Sequence, residues 1–154
     1  MPDISVLDTA FWLTALAILA LLVLSAFFSG SETALTAASR GKLKQMADKG
    51  NTGAKAAMEI TEDNERMIGA LLLGNNIVNI LSASLATAML TKVFGDNGIA
   101  LTTLVMTVLV LVFGEVMPKT LAITFPEGVA VKVAPVIRVL ILIFSPIVAM
   151  VRLL

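Results

Sequence analysis

Residues 67–91 read MIGALLLGNNIVNILSASLATAMLT and contain no Asp, Glu, Lys or Arg. Two other stretches, 9–31 and 97–114, are also free of charged residues. A helix of about 20 apolar residues is long enough to cross the hydrocarbon core of a bilayer, which is about 30 Å thick. The three stretches therefore predict an all-α integral membrane protein with three transmembrane helices, over about 7–31, 67–92 and 98–124.

The composition also indicates a chain surrounded by lipid. Hydrophobic residues make up 58% of it and charged residues 14%, whereas about a quarter of a soluble domain is charged. The net charge is zero, so nothing indicates a nucleic-acid partner. The chain has no Cys and no His, which removes disulfides and the usual ligands of zinc, copper and iron. The commonest general base is missing too, so we do not expect an enzyme.

Basic residues are concentrated between the first two hydrophobic stretches. They are Arg40, Lys42, Lys44, Lys49, Lys55 and Arg66. The positive-inside rule then places this region and the C-terminal part in the cytoplasm, with the N-terminus and the 92–98 turn outside. We expect a multi-pass protein of the inner (plasma) membrane. The first eight residues include Asp3 and Asp8 but no basic residue, unlike a signal peptide, so the first helix is expected to be retained.

Two further segments are expected to be helical without crossing the bilayer. Residues 36–62 are amphipathic and interrupted at 50–53, which predicts a broken helix on the inner membrane surface; a cytosolic helical hairpin is the alternative. The uncharged stretch between Arg138 and Arg152 is too short to span and contains Pro146, so 133–154 is predicted to be a juxtamembrane or interfacial helix. The whole chain, 1–154, is expected to be one domain.

Polar residues in the second helix form a stripe. Asn75, Asn79 and Ser82 are spaced i, i+4 and i+7, so their side chains share one helical face. Amide and hydroxyl oxygens are suitable neutral ligands for a hard cation. The alternative is that they are hydrogen-bonding contacts between helices, which contribute about 0.6–2 kcal/mol each.

The third helix contains one carboxylate within its apolar part, Glu115, followed by Pro118. Pro118 has no N–H, so it frees the carbonyl oxygen of Gly114 beside the acid. An acid next to a released carbonyl resembles the broken-helix cation sites of transporters. The alternative is that Glu115 pairs with Lys119 at i+4 or is protonated and hydrogen-bonded.

The end of the first helix carries Ser29-Gly30-Ser31, which would loosen the helix and present hydroxyl groups; an ordinary helix end capped by Ser31 or Thr33 is the alternative. At 1.5 Å per residue, Asn75 and Asn79 lie about 12 and 18 Å above the start of the second helix. Ser29 and Glu115 are expected at similar depth. Oxygen ligands from three helices would then meet in the inner half of the membrane.

These segments together resemble the transmembrane domain of the CorC/CNNM family of magnesium transporters, also described as hemolysin-like. The matching stretches are FSGSETAL (28–35), LLGNNIVN (72–79) and FGEVMPK (113–119). The resemblance implies a homodimer that exports Mg²⁺ in exchange for Na⁺. It also implies that cytosolic CBS domains, which bind nucleotides such as ATP, follow in the full-length chain.

Carried over by position, the family's cation site would use a set of oxygen donors from all three helices. The set is Ser29, Asn79, Ser82, Gly114 and Glu115, with Asn75 as a further candidate. For transport by alternating access, we expect hinges at Gly30 and Pro118. The alternative function is a dimeric module that senses Mg²⁺ and regulates cytosolic domains without transporting it.

Overall fold

The computed structural model describes residues 9–95 and 97–153, and its regular elements in these ranges are all helical. They are α1 (Thr9–Ala37), α2 (Arg40–Asp48), α3 (Thr52–Glu62), α4 (Asn64–Phe94), α5 (Asn97–Leu109), a π-helical segment (Val110–Val116), α6 (Met117–Thr124) and α7 (Pro126–Leu153). The predicted spans correspond to α1, α4 and the run from α5 to α6. Residues 7–8 and 154 of the predicted helices, and Asp96 of the predicted turn, lie outside the described residues.

The prediction of three spans is not confirmed. Four helical stretches are long and apolar enough to cross a membrane by length and composition: 9–37, 64–92, 99–124 and 126–151. The fourth lies within α7, which begins at Pro126 rather than near 133 and continues through Pro135 and Pro146. Each proline removes one backbone N–H, and neighbouring helices in a membrane protein can compensate for such a loss. The expectation that Pro146 would disrupt the segment was therefore wrong.

Helix α1 also differs from the prediction, because it does not loosen or end at Ser29-Gly30-Ser31. It continues for two more turns, to Ala37. All three residues are buried. Small side chains in a membrane helix allow close approach of a neighbour, and a Cβ atom added to Gly30 would lie 3.5 Å from Pro118. Ser29-Gly30-Ser31, which the sequence predicted to loosen or end the helix, is therefore part of a surface on which another helix packs.

The predicted break between two amphipathic helices is confirmed. Gly50 has φ 95°, a conformation that L side chains rarely adopt, and it ends α2. The side chain of Asn51 then accepts the N–H of Ala54, with an N···O distance of 3.0 Å, and caps α3. Helix α3 packs closely on α7, since a Cβ atom added to Gly53 would overlap with the carbonyl oxygen of Val131.

The buried side chains form two clusters at different levels of the bundle. The larger lies at the end of the bundle where α2 and α3 pack, which we call the basic end, and includes Leu43, Ala57, Met67, Leu71, Ile137 and Ile141. The smaller is formed by Ile18, Leu22, Ala86 and Met106, from α1, α4 and α5. Residues of α7 contribute to the larger cluster.

Contacts between α7 and α4 lie near the start of α4. Cβ atoms added to Gly69 and Gly74 would lie 3.2 Å from Val148 and 3.4 Å from Phe144, respectively. Both glycines are within the first three turns of α4, which continues to Phe94. The later residue of α7 contacts the earlier residue of α4. In these contacts α7 therefore packs on the basic end of α4 and runs in the opposite direction.

Candidate functional site

A group of three hydrogen-bonding side chains lies between α1 and α4. The Oγ atom of Ser25 is 3.0 Å from Oδ1 of Asn75 and 3.0 Å from Oδ1 of Asn79. Ser25 is fully buried and the two asparagines are partly buried. The i, i+4 spacing of the asparagines places both amides on the face of α4 that contacts α1. The hydrogen bonds that the sequence offered as an alternative to a cation site are therefore present.

The three oxygens of this group share a single hydroxyl proton. A serine hydroxyl has one O–H donor, so it donates to one amide oxygen at a time. The other amide oxygen lies against a hydroxyl lone pair unless its amide turns round and donates. A hard cation binds amide and hydroxyl oxygens of this kind. The group can therefore act either as a contact between helices or as part of a cation site.

The third predicted span approaches this group most closely at Gly114. Gly114 is buried, and a Cβ atom added to it would lie 3.1 Å from the Oγ atom of Ser25. That distance is tighter than ordinary van der Waals contact. Glycine thus allows the backbone of the π-helical segment to lie beside the hydroxyl of Ser25. Three of the predicted residues, Asn75, Asn79 and Gly114, are brought together around this one serine.

The π-helical segment changes which backbone oxygens are free. The N–H of Met117 donates to the carbonyl oxygen of Val112, five residues back. In this register the next carbonyl, that of Phe113, would require an N–H from residue 118, and Pro118 has none. In an α-helical register, the N–H that Pro118 lacks would instead have donated to the carbonyl oxygen of Gly114. The sequence placed the released carbonyl at Gly114, whereas the π register moves it one residue back, to Phe113.

Glu115 pairs with Lys119. The distance between Oε2 of Glu115 and Nζ of Lys119 is 3.8 Å, and 36% of the glutamate side chain is exposed. This is the i, i+4 pairing that the sequence left open as the alternative. Among the residues that the structure describes, the carboxylate does not hydrogen-bond to Ser29 or Asn79. Glu115 therefore lies next to Gly114 in the chain but outside the hydrogen-bonded group.

Ser29 and Ser82 are both buried but differ in their bonding. The hydroxyl of Ser82 donates to the carbonyl oxygen of Val78 at 2.9 Å. The hydroxyl of Ser29 lies one helical turn from Ser25 and has no hydrogen-bond partner within residues 9–95 and 97–153. An unsatisfied buried hydroxyl costs about 1–3 kcal/mol. Among the predicted site residues, Ser29 is therefore the one whose buried hydroxyl most clearly lacks a partner within the described residues.

Ser25 was missed from the sequence, although a signal for it was present. Ile18, Leu22, Ser25 and Ser29 follow the i, i+4, i+7, i+11 spacing of one helical face. All four are buried. A polar residue within an uncharged membrane run is costly in lipid. Because Ser25 lies on the same face as Ser29, it could have been predicted as a further residue of the site.

The two predicted hinge residues border an apolar groove of about 560 Å³. The groove lies between α1, α6 and α7, and its lining includes Gly30, Ser31, Pro118, Leu121 and Val133. The hydroxyl of Ser31 is buried and lacks a hydrogen-bond partner among the described residues. Both residues predicted as hinges therefore border the same groove.

The described residues contain no group of three or more Asp, Glu, His or Cys side chains that could hold a metal ion. A cation bound near Ser25 would therefore be held mainly by neutral oxygens. Few charged ligands give weak binding.

The helical bundle with polar residues in its interior defines a membrane domain, and its family is shown by comparison with known proteins. The model of the family described as cyclin M transmembrane N-terminal domain matches residues 16–154. The chain belongs to this family, which confirms the resemblance seen in its three motifs.

Three relatives illustrate the range of the family. An Escherichia coli protein called UPF0053 inner membrane protein YfjD is 46% identical over 107 residues, which cover 70% of this chain and 25% of that protein. A UPF0053 protein of Haemophilus influenzae is 39% identical, covering 82% of this chain and 30% of that protein. A polyamine export protein of the same organism is 30% identical, covering 88% of this chain and 34% of that protein. The chain thus spans about a quarter to a third of the length of these relatives.

Proposed function

We propose that this chain is the membrane domain of a cation transporter and that Mg²⁺ is the transported ion. The observation that carries the proposal is the buried group of Ser25, Asn75 and Asn79, in which two amide oxygens and one hydroxyl oxygen share one proton. A cation bound to a lone pair of each oxygen would give all three an electropositive partner at once, while the hydroxyl keeps its proton and turns it away. The buried and unpartnered hydroxyl of Ser29 supports the same interpretation.

In this proposal the ion is held by oxygens from three spans. Ser25 and Ser29 come from α1, Asn75 and Asn79 from α4, and a released carbonyl from the segment that contains Gly114. Ser82 is a further ligand if its hydroxyl turns away from Val78. Mg²⁺ requires about six oxygens at ~2.0–2.1 Å and keeps several of its waters, so water completes the shell. Glu115 joins the site when its ion pair with Lys119 opens.

The movement that exposes the site to either side is proposed to occur at Gly30 and Pro118, which face each other and border the groove. Entry of Na⁺ down its gradient is proposed to drive Mg²⁺ out, and the chain is proposed to act as a homodimer.

The positive-inside rule places the basic end in the cytoplasm and the N-terminus outside. Because α7 packs against α4 at the basic end, we propose that it lies along the inner membrane boundary and leaves the C-terminus cytoplasmic. No chemical reaction is proposed for the chain, and nucleotide-binding CBS domains are proposed to follow it in the full-length protein.

A second candidate is the export of polyamines, which is favoured by the name of the Haemophilus influenzae relative. Polyamines carry ammonium groups on methylene chains. Amide oxygens can accept hydrogen bonds from ammonium groups, and the apolar groove beside Gly30 and Pro118 could hold methylene groups. A third candidate, from a different class, is a Mg²⁺ sensor that controls cytosolic domains without ion flux.

Flux measurements in liposomes distinguish the three candidates. The full-length protein is reconstituted, and Mg²⁺ flux and spermidine flux are measured separately, with and without an opposing Na⁺ gradient. We expect Mg²⁺ flux that Na⁺ accelerates, and a loss of at least tenfold in Asn79→Ala and Glu115→Gln. The control is Ser84→Ala, at an exposed position of α4.

Each result assigns one candidate. Spermidine flux without Mg²⁺ flux would establish the second candidate. Mg²⁺-dependent thermal stabilisation without flux of either cation would establish the sensor. Wild-type Mg²⁺ flux and affinity in both Asn79→Ala and Glu115→Gln would show that this group is not the cation site.

A further inference from the structure

A separate cavity of about 150 Å³ lies at the basic end of the bundle, where α3, α4 and α7 meet. Its polar wall consists of Glu59, Asp63, Arg66 and Arg138. Two carboxylates and two guanidinium groups give this wall a net charge of zero. A cavity of about this volume is large enough for a benzene-sized group. The cavity is distinct from the group around Ser25 and does not depend on which cation is transported.

Arg66 supplies the first indication of a ligand. Its Nε atom is buried and has no hydrogen-bond partner within the described residues. A buried cationic donor without an acceptor is costly. Guanidinium groups bind phosphate oxygens with charge-assisted hydrogen bonds and a matching planar geometry. The missing acceptor is therefore best supplied by an anionic oxygen such as that of a phosphate.

The remaining charged groups of the wall indicate a cationic part in the same ligand. Nη1 of Arg138 and Oε2 of Glu59 are 3.4 Å apart, and their side chains are 53% and 65% exposed. Exposed ion pairs of this length contribute little to stability. Each of the two side chains can therefore bind a ligand group as well. Arg138 can contribute to a phosphate site beside Arg66, and Glu59 can accept hydrogen bonds from an ammonium group.

The opposite wall of the cavity is apolar. It includes Ile60, Met67, Ile141 and Leu142. Met67 is the first residue of the uncharged run 67–91, so the cavity lies where α4 passes from the charged segment into its apolar part. Leu142 is 64% exposed and continues the apolar wall outwards. A ligand with a polar head and apolar tails can contact both the charged wall and the apolar wall. A free phosphate can contact only the charged wall.

We propose that this cavity binds the headgroup of a phospholipid that carries a primary ammonium group, of the phosphatidylethanolamine type. Its phosphate lies against Arg66 and Arg138, its ammonium group against Glu59, and its acyl chains along Leu142. Because the cavity is formed by three helices, the bound lipid holds α7 against α3 and α4.

Native mass spectrometry of the detergent-purified chain tests the proposal. Phosphatidylethanolamine, phosphatidylcholine and phosphatidylglycerol are titrated separately, with inorganic phosphate and glycerophosphoethanolamine as ligands without tails. We expect the strongest retention for phosphatidylethanolamine, since choline has no N–H donor and phosphatidylglycerol has no ammonium group. Loss of a charge-assisted hydrogen bond, about 1.5–3 kcal/mol, should weaken its binding by about tenfold or more in Arg66→Gln and Arg138→Gln.

The matched control is Lys55→Gln, which removes one positive charge from an exposed position of α3 and should retain the lipid. Glu59→Gln should reduce the preference for phosphatidylethanolamine over phosphatidylglycerol. Arg66→Lys keeps the charge but lacks the Nε donor, so it should also bind the lipid more weakly and provides a second variant if Arg66→Gln does not fold. Equal lipid retention by the wild type and the folded Arg66 and Arg138 variants would overturn the proposal. Equal binding of inorganic phosphate and lipid would overturn the assignment to a lipid.

Discussion

Gly30 and Pro118, predicted from the sequence as hinges of two different helices, face each other across a space that one methyl group would fill. A Cβ atom added to Gly30 would lie 3.5 Å from both the Cβ atom and the carbonyl oxygen of Pro118. This is ordinary van der Waals contact, so the two helices meet here without overlap and with room for one methyl group. A bend at either residue must therefore change the packing of the other.

The Gly30–Pro118 contact predicts different effects for a small and a branched substitution. Gly30→Ala should keep or raise stability by up to about 1 kcal/mol, because alanine favours the helix and its methyl group fits. Gly30→Val should lower stability by about 1–3 kcal/mol, because its extra methyl groups overpack the contact. Thermal melts of the purified variants measure both. Equal melting temperatures for Gly30→Val and Gly30→Ala would contradict the packing described here.

Replacing Pro118 should stabilise the protein and impair its transport. Pro118→Ala restores an N–H that serves the carbonyl of Gly114 in an α register, which favours an ordinary α-helix in place of the π register. Proline costs about 3 kcal/mol inside a helix, so part of that amount should appear as a higher melting temperature. On the proposed function, Mg²⁺ flux should fall, because a released carbonyl and a hinge are both lost.

Pro146→Ala is the control for this substitution, since Pro146 lies inside α7 and away from the π-helical segment. It should also raise stability but leave flux close to the wild type. If Pro118→Ala transports as fast as the wild type, neither the released carbonyl nor the hinge is needed for transport.

Much of the fold could be predicted from the sequence because uncharged runs have few alternatives in a membrane. The bounds of α4 and of the run from α5 to α6 lie close to those predicted, and Gly50 ends α2 as expected. The errors occur at α1 and α7, where local signals were outweighed by packing. Ser29-Gly30-Ser31 looks like a helix end and Pro146 like a helix breaker, but only neighbouring helices determine whether such residues disrupt a helix.

The site was predictable in part for the same reason. The faces of Asn75 and Asn79 follow from helical spacing, so their convergence on α1 could be expected. Which residue of α1 they meet depends on the rotation and depth of that helix, and the sequence pointed to Ser29 where the structure places Ser25. The π register after Val110 leaves no clear pattern in the sequence, so the position of the Glu115 side chain could not be derived.

Two glycines of the basic end should respond in opposite ways to alanine. Gly53→Ala places a methyl group on the carbonyl oxygen of Val131, a backbone atom that cannot move without shifting α7, so stability should fall by about 1–3 kcal/mol. Gly41→Ala in α2 would contact only the Oγ atom of Ser39, at 3.7 Å. It should therefore gain about 0.5–1 kcal/mol from helix propensity. Thermal melts of the two variants side by side measure the contact between α3 and α7, and a stabilised Gly53→Ala would show that this contact is not tight.

Removing the hydroxyl of Ser25 separates the structural role of the polar group from its proposed role in cation binding. Ser25→Ala removes the hydroxyl that can donate to either Asn75 or Asn79, so stability without Mg²⁺ should fall by about 1–2 kcal/mol, the range for polar contacts between membrane helices. Ser84→Ala, at an exposed position of α4, should leave stability unchanged. On the proposed function, Mg²⁺ should raise the melting temperature of the wild type and of Ser84→Ala, but raise that of Ser25→Ala much less. If Mg²⁺ stabilises Ser25→Ala as strongly as the wild type, the group holds the helices together and the ion binds elsewhere.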